Sequence, residues 1–208
     1  NLMSGSFPIS SSAFSTMGIK SIQNTIVSKT QSGKHLSRQI DGQRFAFTAK
    51  IITAKRSDVY GELMAFIMKQ RSQKEHFTII PPELEDARGV ETGTLAVNGS
   101  HTAGDTTIAI DGFASDTANR LRQGDFIKFN GHTKIYMVVA DVTSSSGAAT
   151  VTIEPPLISA LADDEAVAYD NIPFTVHLVN DIQEFGVVGA SSTGELLYEF
   201  ELDVEEAI

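Results

Sequence analysis

The sequence predicts a mainly β fold, a β-rich α+β chain with one helix, and three observations carry that prediction. Two distant stretches, QRFAFTAKII and ELLYEFELDVEE, alternate apolar and polar residues, the period at which successive strand side chains point to opposite faces. One convincing stretch, residues 57–71, carries apolar residues at helical spacing instead. Between these, short apolar runs are broken by turn residues every few positions, the pattern of a small all-β module.

Taken in order, residues 19–28 are β-branched enough to pair as a strand, and Ser32-Gly33 marks a bend before a second run at 35–40. Phe45, Phe47, Ala49 and Ile51 then alternate with Arg44, Ala46, Thr48 and Lys50, predicting a strand with one buried face. Ser57 or Asp58 is placed to cap a helix whose Val59, Leu63, Phe66 and Ile67 form an apolar stripe. Lys69, Arg71 and Lys74 lie where the negative end of the helix dipole favours cations. A strand at 76–80 is stopped by Pro81-Pro82, which have no N–H to continue a ladder.

The segment ELEDARGVETG reads as a polar, glycine-bearing domain crossing. Short strands follow at 95–97, 107–110, 125–129, 134–142, 149–153 and 165–168. Asn130-Gly131 is the strongest hairpin signal, because a two-residue type I′ turn needs positive φ at both positions; SSSG at 144–147 supplies a second loop. The long alternating pattern returns at 174–179 and 196–205. Such half-buried strands need partners, and the strand containing Phe45 and the helix are the natural ones. The expected organisation is a discontinuous domain, 1–87 with 171–208, carrying an inserted barrel-like module at 88–170.

Composition narrows the function. The 208 residues are 41% hydrophobic, enough for one large domain or a domain carrying a smaller one. No apolar run approaches the roughly 18 residues a membrane span needs, and NLMSGSFPIS lacks the features of a signal peptide. Cysteine is absent, which excludes disulfides and thiolate chemistry. The net charge of −10 is divided unevenly: residues 1–88 hold 12 Lys+Arg against 7 Asp+Glu, and the remainder 4 against 19. Opposite charge on two parts of one chain can orient copies against each other. So acidic a chain is a poor candidate for tight nucleic-acid binding, which requires clustered Lys and Arg.

No catalytic, phosphate-binding, dinucleotide or metal signature is present, so no enzyme activity, cofactor or metal is expected. His132 stands at the shoulder of the predicted hairpin with no ligand-spaced partner and reads as a surface or turn residue. Asp163, Asp164 and Glu165 lack the glycine and spaced ligands of a calcium loop and read as a solvated turn. More informative are Glu199, Glu201, Asp203 and Glu205, four like charges on one strand face at roughly 7 Å spacing. Beside the reading as a solvated face stand two functional ones: a negative inner wall of a ring, or a surface that meets a basic neighbour.

IVSKTQSGKHLSRQIDGQRFAFTAKI followed by ELMAFIMKQRSQKEHFTIIPP resembles the N-terminal region of distal tail proteins of long-tailed bacteriophages and related phage tail structural proteins. GDFIKFNGHTKIYMVVADVTSSSGAATVTIEPPL is similar to the small β module, OB-like in some members, inserted in several of them. Phe45 stands where many relatives carry tryptophan. The resemblance implies a virion protein, made in the host bacterial cytoplasm, that forms a hexameric homo-oligomeric ring. Such a ring joins the tail tube protein to the baseplate hub and tip proteins and leaves a channel through which DNA passes. It further implies that Phe45, Phe47, Phe66, Phe200 and Leu202 hold the ring domain together. Gly33, Arg38, Gln43 and Arg44 are the implied subunit-interface residues, and the module around Lys128 to Tyr136 is expected to project outward. Two alternatives remain: a binding module whose insert recognises host-surface saccharide through Phe113, Phe126, Phe129, Tyr136 and Tyr169, or a tail-tube or tail-completion protein.

Overall fold

The computed structural model describes residues 3–40 and 42–208 and is mostly β. The chain resolves into two compact units: residues up to Thr78 together with Thr175–Ile208, and Ile79–Phe174.

The first unit is built on an eight-stranded sheet. Its strands are β1 (Met3–Ser6), β2 (Phe14–Ile22), β5 (Arg44–Ile51), β6 (Ala54–Lys55), β7 (His76–Ile79), β14 (Phe174–Leu178), β15 (Phe185–Ala190) and β16 (Leu196–Glu206). The main path runs β1-β7-β14-β16-β5-β2, with β15 and β6 flanking the other half of β16. The long strand β16 is the organiser. Glu201 to Glu205 pair with Lys50 to Ala46 on β5, while Val204 and Glu206 pair with Leu178 and Val176 on β14. Its first half pairs with β15 and β6. The alternation seen in the sequence decides which side is covered: Phe45, Phe47, Ala49, Ile51, Phe200, Leu202 and Val204 are all buried.

The helix is shorter than its apolar stripe predicted. A π-helical turn, Arg56–Tyr60, leads into α1 (Gly61–Lys69), and neither Ser57 nor Asp58 caps it. Ser57 Oγ donates to Asp58 Oδ1 at 3.0 Å instead. Arg71 and Ser72, at φ 53 and 66, end the helix in left-handed conformation. Leu63 and Ile67 are buried, and Phe66 meets Phe77 of β7 edge to face with ring centres 5.3 Å apart. Residues 19–28, expected as one strand, belong to two. After β2, the chain turns into β3 (Thr25–Lys29), which among the described residues pairs only with β4 (His35–Gln39) in a separate two-stranded sheet.

The second unit is a closed barrel of six antiparallel strands in the order β10-β11-β12-β9-β8-β13. These are β8 (Leu95–Val97), β9 (Thr107–Asp111), β10 (Phe126–Phe129), β11 (Tyr136–Val138), β12 (Ala148–Glu154) and β13 (Ala166–Ala168). Inward residues including Leu95, Val97, Ile108, Ile110, Phe129, Val138, Val151 and Ile153 form one buried cluster, each contributing about 1.5–3 kcal/mol on burial. Closure removes the exposed strand edges that an open sheet keeps.

Both predicted turns form, but the type I′ geometry is at the second and not at Asn130-Gly131. Asn130 is not among the positive-φ residues while Gly131 has φ 85, and His132 N–H donates to Phe129 O at 3.1 Å. That is a type II turn, which needs positive φ only at its third residue, and it opens a longer connection reaching to β11. The type I′ geometry belongs to Ser146-Gly147, at φ 53 and 72, closed by paired bonds between Ser145 and Ala148. Asp116 stabilises it by accepting the N–H groups of Ser146 and Gly147 at 2.7 and 2.8 Å.

The compact barrel unit also reaches further out than the expected 88–170, because the polar segment before it is pinned. Ala87 N–H donates to Tyr169 O and Glu91 N–H to Arg120 O, each at 3.1 Å. Asp125, 3% exposed, accepts from the N–H groups of Arg88 and Arg122 at 2.9 and 2.8 Å. Glu91 is buried against Arg120, Oε2 to Nε 2.6 Å. Its other oxygen accepts from Thr92, Gly93 and Ala114 at 2.9, 2.5 and 3.0 Å. Gly93 is required here, since a Cβ would lie 2.2 Å from Gly112 O.

Candidate interface surfaces

The most unusual surface is the β3–β4 hairpin. Every residue from 23 to 40 is exposed, although a lone two-stranded hairpin is at best marginally stable in water. The register pairs Ile26 with Arg38 and Ser28 with Leu36, and Ile40 N–H bonds Asn24 O at 3.0 Å. Residues directly opposite share a face, so Ile26, Leu36 and Ile40 lie together with Arg38. These three apolar side chains remain 56%, 48% and 56% exposed. Gly33, at φ 81, makes the turn at the tip. The hairpin is thus an arm with one apolar face, and Lys29, Lys34 and Arg38 give it positive charge with no carboxylate over residues 24–40.

The four candidate interface residues divide between this arm and the sheet. Gly33 and Arg38 are on the arm. Gln43 is 3% exposed and its amide donates to Ser21 Oγ at 3.0 Å, which places it inside the fold. Arg44 is half-buried and lies 3.4 Å from Glu205.

The acid row divides too. Glu205 faces Arg44, and Asp203 accepts from Thr48 Oγ1 at 2.7 Å and Asn180 Nδ2 at 3.2 Å. Lys50 lies 3.5 Å from Glu201. The expected repulsion is therefore relieved at Glu201, Asp203 and Glu205 by Lys50, Thr48 and Arg44 of β5, the first two standing directly opposite Glu201 and Asp203. His177, opposite Glu205, has its pKa lowered by burial against the pull of that carboxylate. Glu199 and Glu201 remain exposed and line a groove of about 540 Å³ with Glu184, Lys50, Ile52, Ile182 and Phe200. Ile182 is 85% exposed.

Beside the groove runs β15, FGVVGA, which the sequence reading did not identify. It pairs with β16 on one side, and the described residues supply no strand for its other side. It carries no charge or proline, the usual protections of a free edge, and Val187 and Val188 are about half exposed.

In the barrel, Phe113, Phe126, Phe129, Tyr136 and Tyr169 are all buried, so none offers a ring on which a sugar or base could stack. His132, expected at the surface, is 8% exposed. Its Nδ1 lies 3.1 Å from Tyr136 Oη and its Nε2 3.0 Å from Ser159 Oγ. Within 128–136, Phe129, His132, Lys134, Ile135 and Tyr136 are buried, while Asn130, Gly131 and Thr133 are exposed. Asp163 and Glu165 accept backbone N–H groups of Gly99 and Ala162 at 2.6 and 3.3 Å. No described group of histidines and carboxylates is arranged to hold a metal ion, and no described helix is long and apolar enough to cross a membrane.

The sequence matches no protein-family model and no curated protein.

Proposed function

We propose that this chain is a ring-forming structural subunit of a bacteriophage tail tip, six copies of which join the tail tube to the distal hub and leave a channel for DNA. The observation that carries the reading is the unfinished surface of the sheet unit. Its basic, half-apolar arm is exposed along its whole length, and the uncharged outer side of β15 is left open. A lone copy gains nothing from such surfaces, whereas a symmetric ring buries them between subunits. The barrel offers the opposite contrast, since its edges are already closed. The resemblance to distal tail proteins points to the same assembly, and the acidic balance of the chain suits a conduit that does not retain phosphate.

The role is mechanical and electrostatic, with no bond made or broken. The expected result is a concentration-dependent rise in solution mass towards a hexamer, with six-fold rings and a central opening under negative stain. A protein that remains monomeric at every concentration reached, and does so with tail-tube protein added, would overturn the reading.

A further inference from the structure

We infer that the β3–β4 arm of one copy docks in the groove between β5, β15 and β16 of the next copy, and that this contact sets the direction of assembly. The inference rests on the ring-subunit reading and assigns its partner surfaces.

Charge complementarity selects the occupant. The arm presents Arg38 on its apolar face and Lys34 near its tip, with Lys29 on the other face, and holds no carboxylate over residues 24–40. The groove presents Glu184, Glu199 and Glu201 against the single cation Lys50, itself 3.5 Å from Glu201. Such pairing steers two surfaces together and penalises wrong partners. The apolar parts agree as well. Ile26, Leu36 and Ile40 share the arm face that holds Arg38, and Ile182 and Ile52, 85% and 36% exposed, line the groove with its carboxylates. Its volume of about 540 Å³ lies in the range of sites that enclose a substantial ligand.

Arm and groove are different patches of the same chain, so the contact is head to tail. Contacts of that type generate a ring when the rotation closes and a filament when it does not. The acid row thereby acquires a divided role. Asp203 and Glu205 are satisfied within their own copy, while Glu199, with Glu184, is left for the neighbour's cations.

Reversing charge on each surface in the full chain tests the assignment. Lys34→Glu with Arg38→Glu makes the arm acidic; Glu184→Lys with Glu199→Lys makes the groove basic. All four positions are exposed, so melting temperatures should match the wild type. Measured by sedimentation and negative stain, each reversed protein alone is expected to associate at least about tenfold more weakly. An equimolar mixture is expected to restore assembly. The acidic arm then fits the basic groove, the unchanged arm fits the unchanged groove, and an alternating ring closes for any even number of copies. Wild-type rings that persist with a reversed arm would overturn this contact and leave the ring reading standing. Two folded, monomeric reversed proteins that fail to reassemble on mixing would overturn it equally. A wild-type chain that never associates would overturn both.

Discussion

Replacing Glu91 by alanine is expected to destabilise the barrel unit by about 3–5 kcal/mol, the cost of leaving a buried charge without its partner. The Arg120 side chain is 4% and the Glu91 side chain 0% exposed, so water cannot substitute for the lost carboxylate. Three backbone N–H groups, from Thr92, Gly93 and Ala114, lose their acceptor in the same step. The measurement is urea unfolding of the full chain, with hydrogen exchange at Ile108 and Ile110 reporting on the barrel. The double substitution Glu91→Leu with Arg120→Met removes both charges and should recover part of the loss, because an apolar pair of similar volume often replaces a buried ion pair at little cost. A double variant no better than the single one would mean that the backbone N–H groups, and not the guanidinium, are what Glu91 serves.

The same carboxylate makes the barrel sensitive to acid. Burial alone would raise the Glu91 pKa, but Arg120 and the N–H groups of Ala114, Gly93 and Thr92 outweigh it and hold the group at about 2, below its usual 4.5. A depressed folded-state pKa contributes stability that is complete above the unfolded value and is lost as pH falls through the folded one. Glu91 therefore contributes fully above about pH 4.5, and its contribution fades between there and about pH 2. In Glu91→Gln that part of the acid dependence should disappear, which a comparison of urea midpoints at pH 5 and pH 3 would reveal.

This clamp was not legible in the sequence. ELEDARGVETG has the composition of a crossing between domains, and nothing in its spacing tells that Glu91 turns inward. Composition cannot separate a solvated acid from one that accepts three backbone N–H groups, because the partners Ala114 and Arg120 lie more than twenty residues away. His132 reads as a surface residue for a related reason: its neighbours Tyr136 and Ser159 come together only when the barrel closes. Long alternation, by contrast, was a reliable guide, since a period-two pattern is imposed by the strand itself. It located β5, β14 and β16 and most of their buried residues, although Leu196 is 52% exposed and Ala46 and Thr175 on the other side are buried. Turn chemistry fared between the two. Both Asn130-Gly131 and the SSSG loop were recognised as turns, yet the type I′ bend went to Ser146-Gly147, where Asp116 supplies acceptors that no local rule includes.

The candidate interface surfaces were legible only in part. Gly33 and Arg38 fell on the arm, but Ile26, Leu36 and Ile40 look like core residues of an ordinary strand. Their exposure follows from β3 leaving the sheet after Ile22. The groove was missed because β15 is glycine-rich and lacks alternation, so neither it nor Ile182 and Glu184 beside it gave a signal.

Phe47→Ala is the second large effect expected, about 3–5 kcal/mol from the sheet unit. Phe47 is 1% exposed and stands opposite Val204 on β16 and Ile19 on β2, so truncation leaves a cavity at the seam where the start and end of the chain become one sheet. Hydrogen exchange of the amides of Leu202 and Val204 should accelerate in proportion, since β16 holds its place through β5 on one side and β14 on the other. The informative contrast lies on the opposite face of the same strand. Lys50 and Glu201 are 61% and 50% exposed at their side chains, and an exposed pair contributes at most about 1 kcal/mol. Replacing both by alanine should thus leave the melting curve nearly unchanged. If Phe47→Ala instead cost no more than that exposed pair, the join between the two ends of the chain would not be the core of the sheet unit, and a ring built on that sheet would lack a rigid subunit to build from.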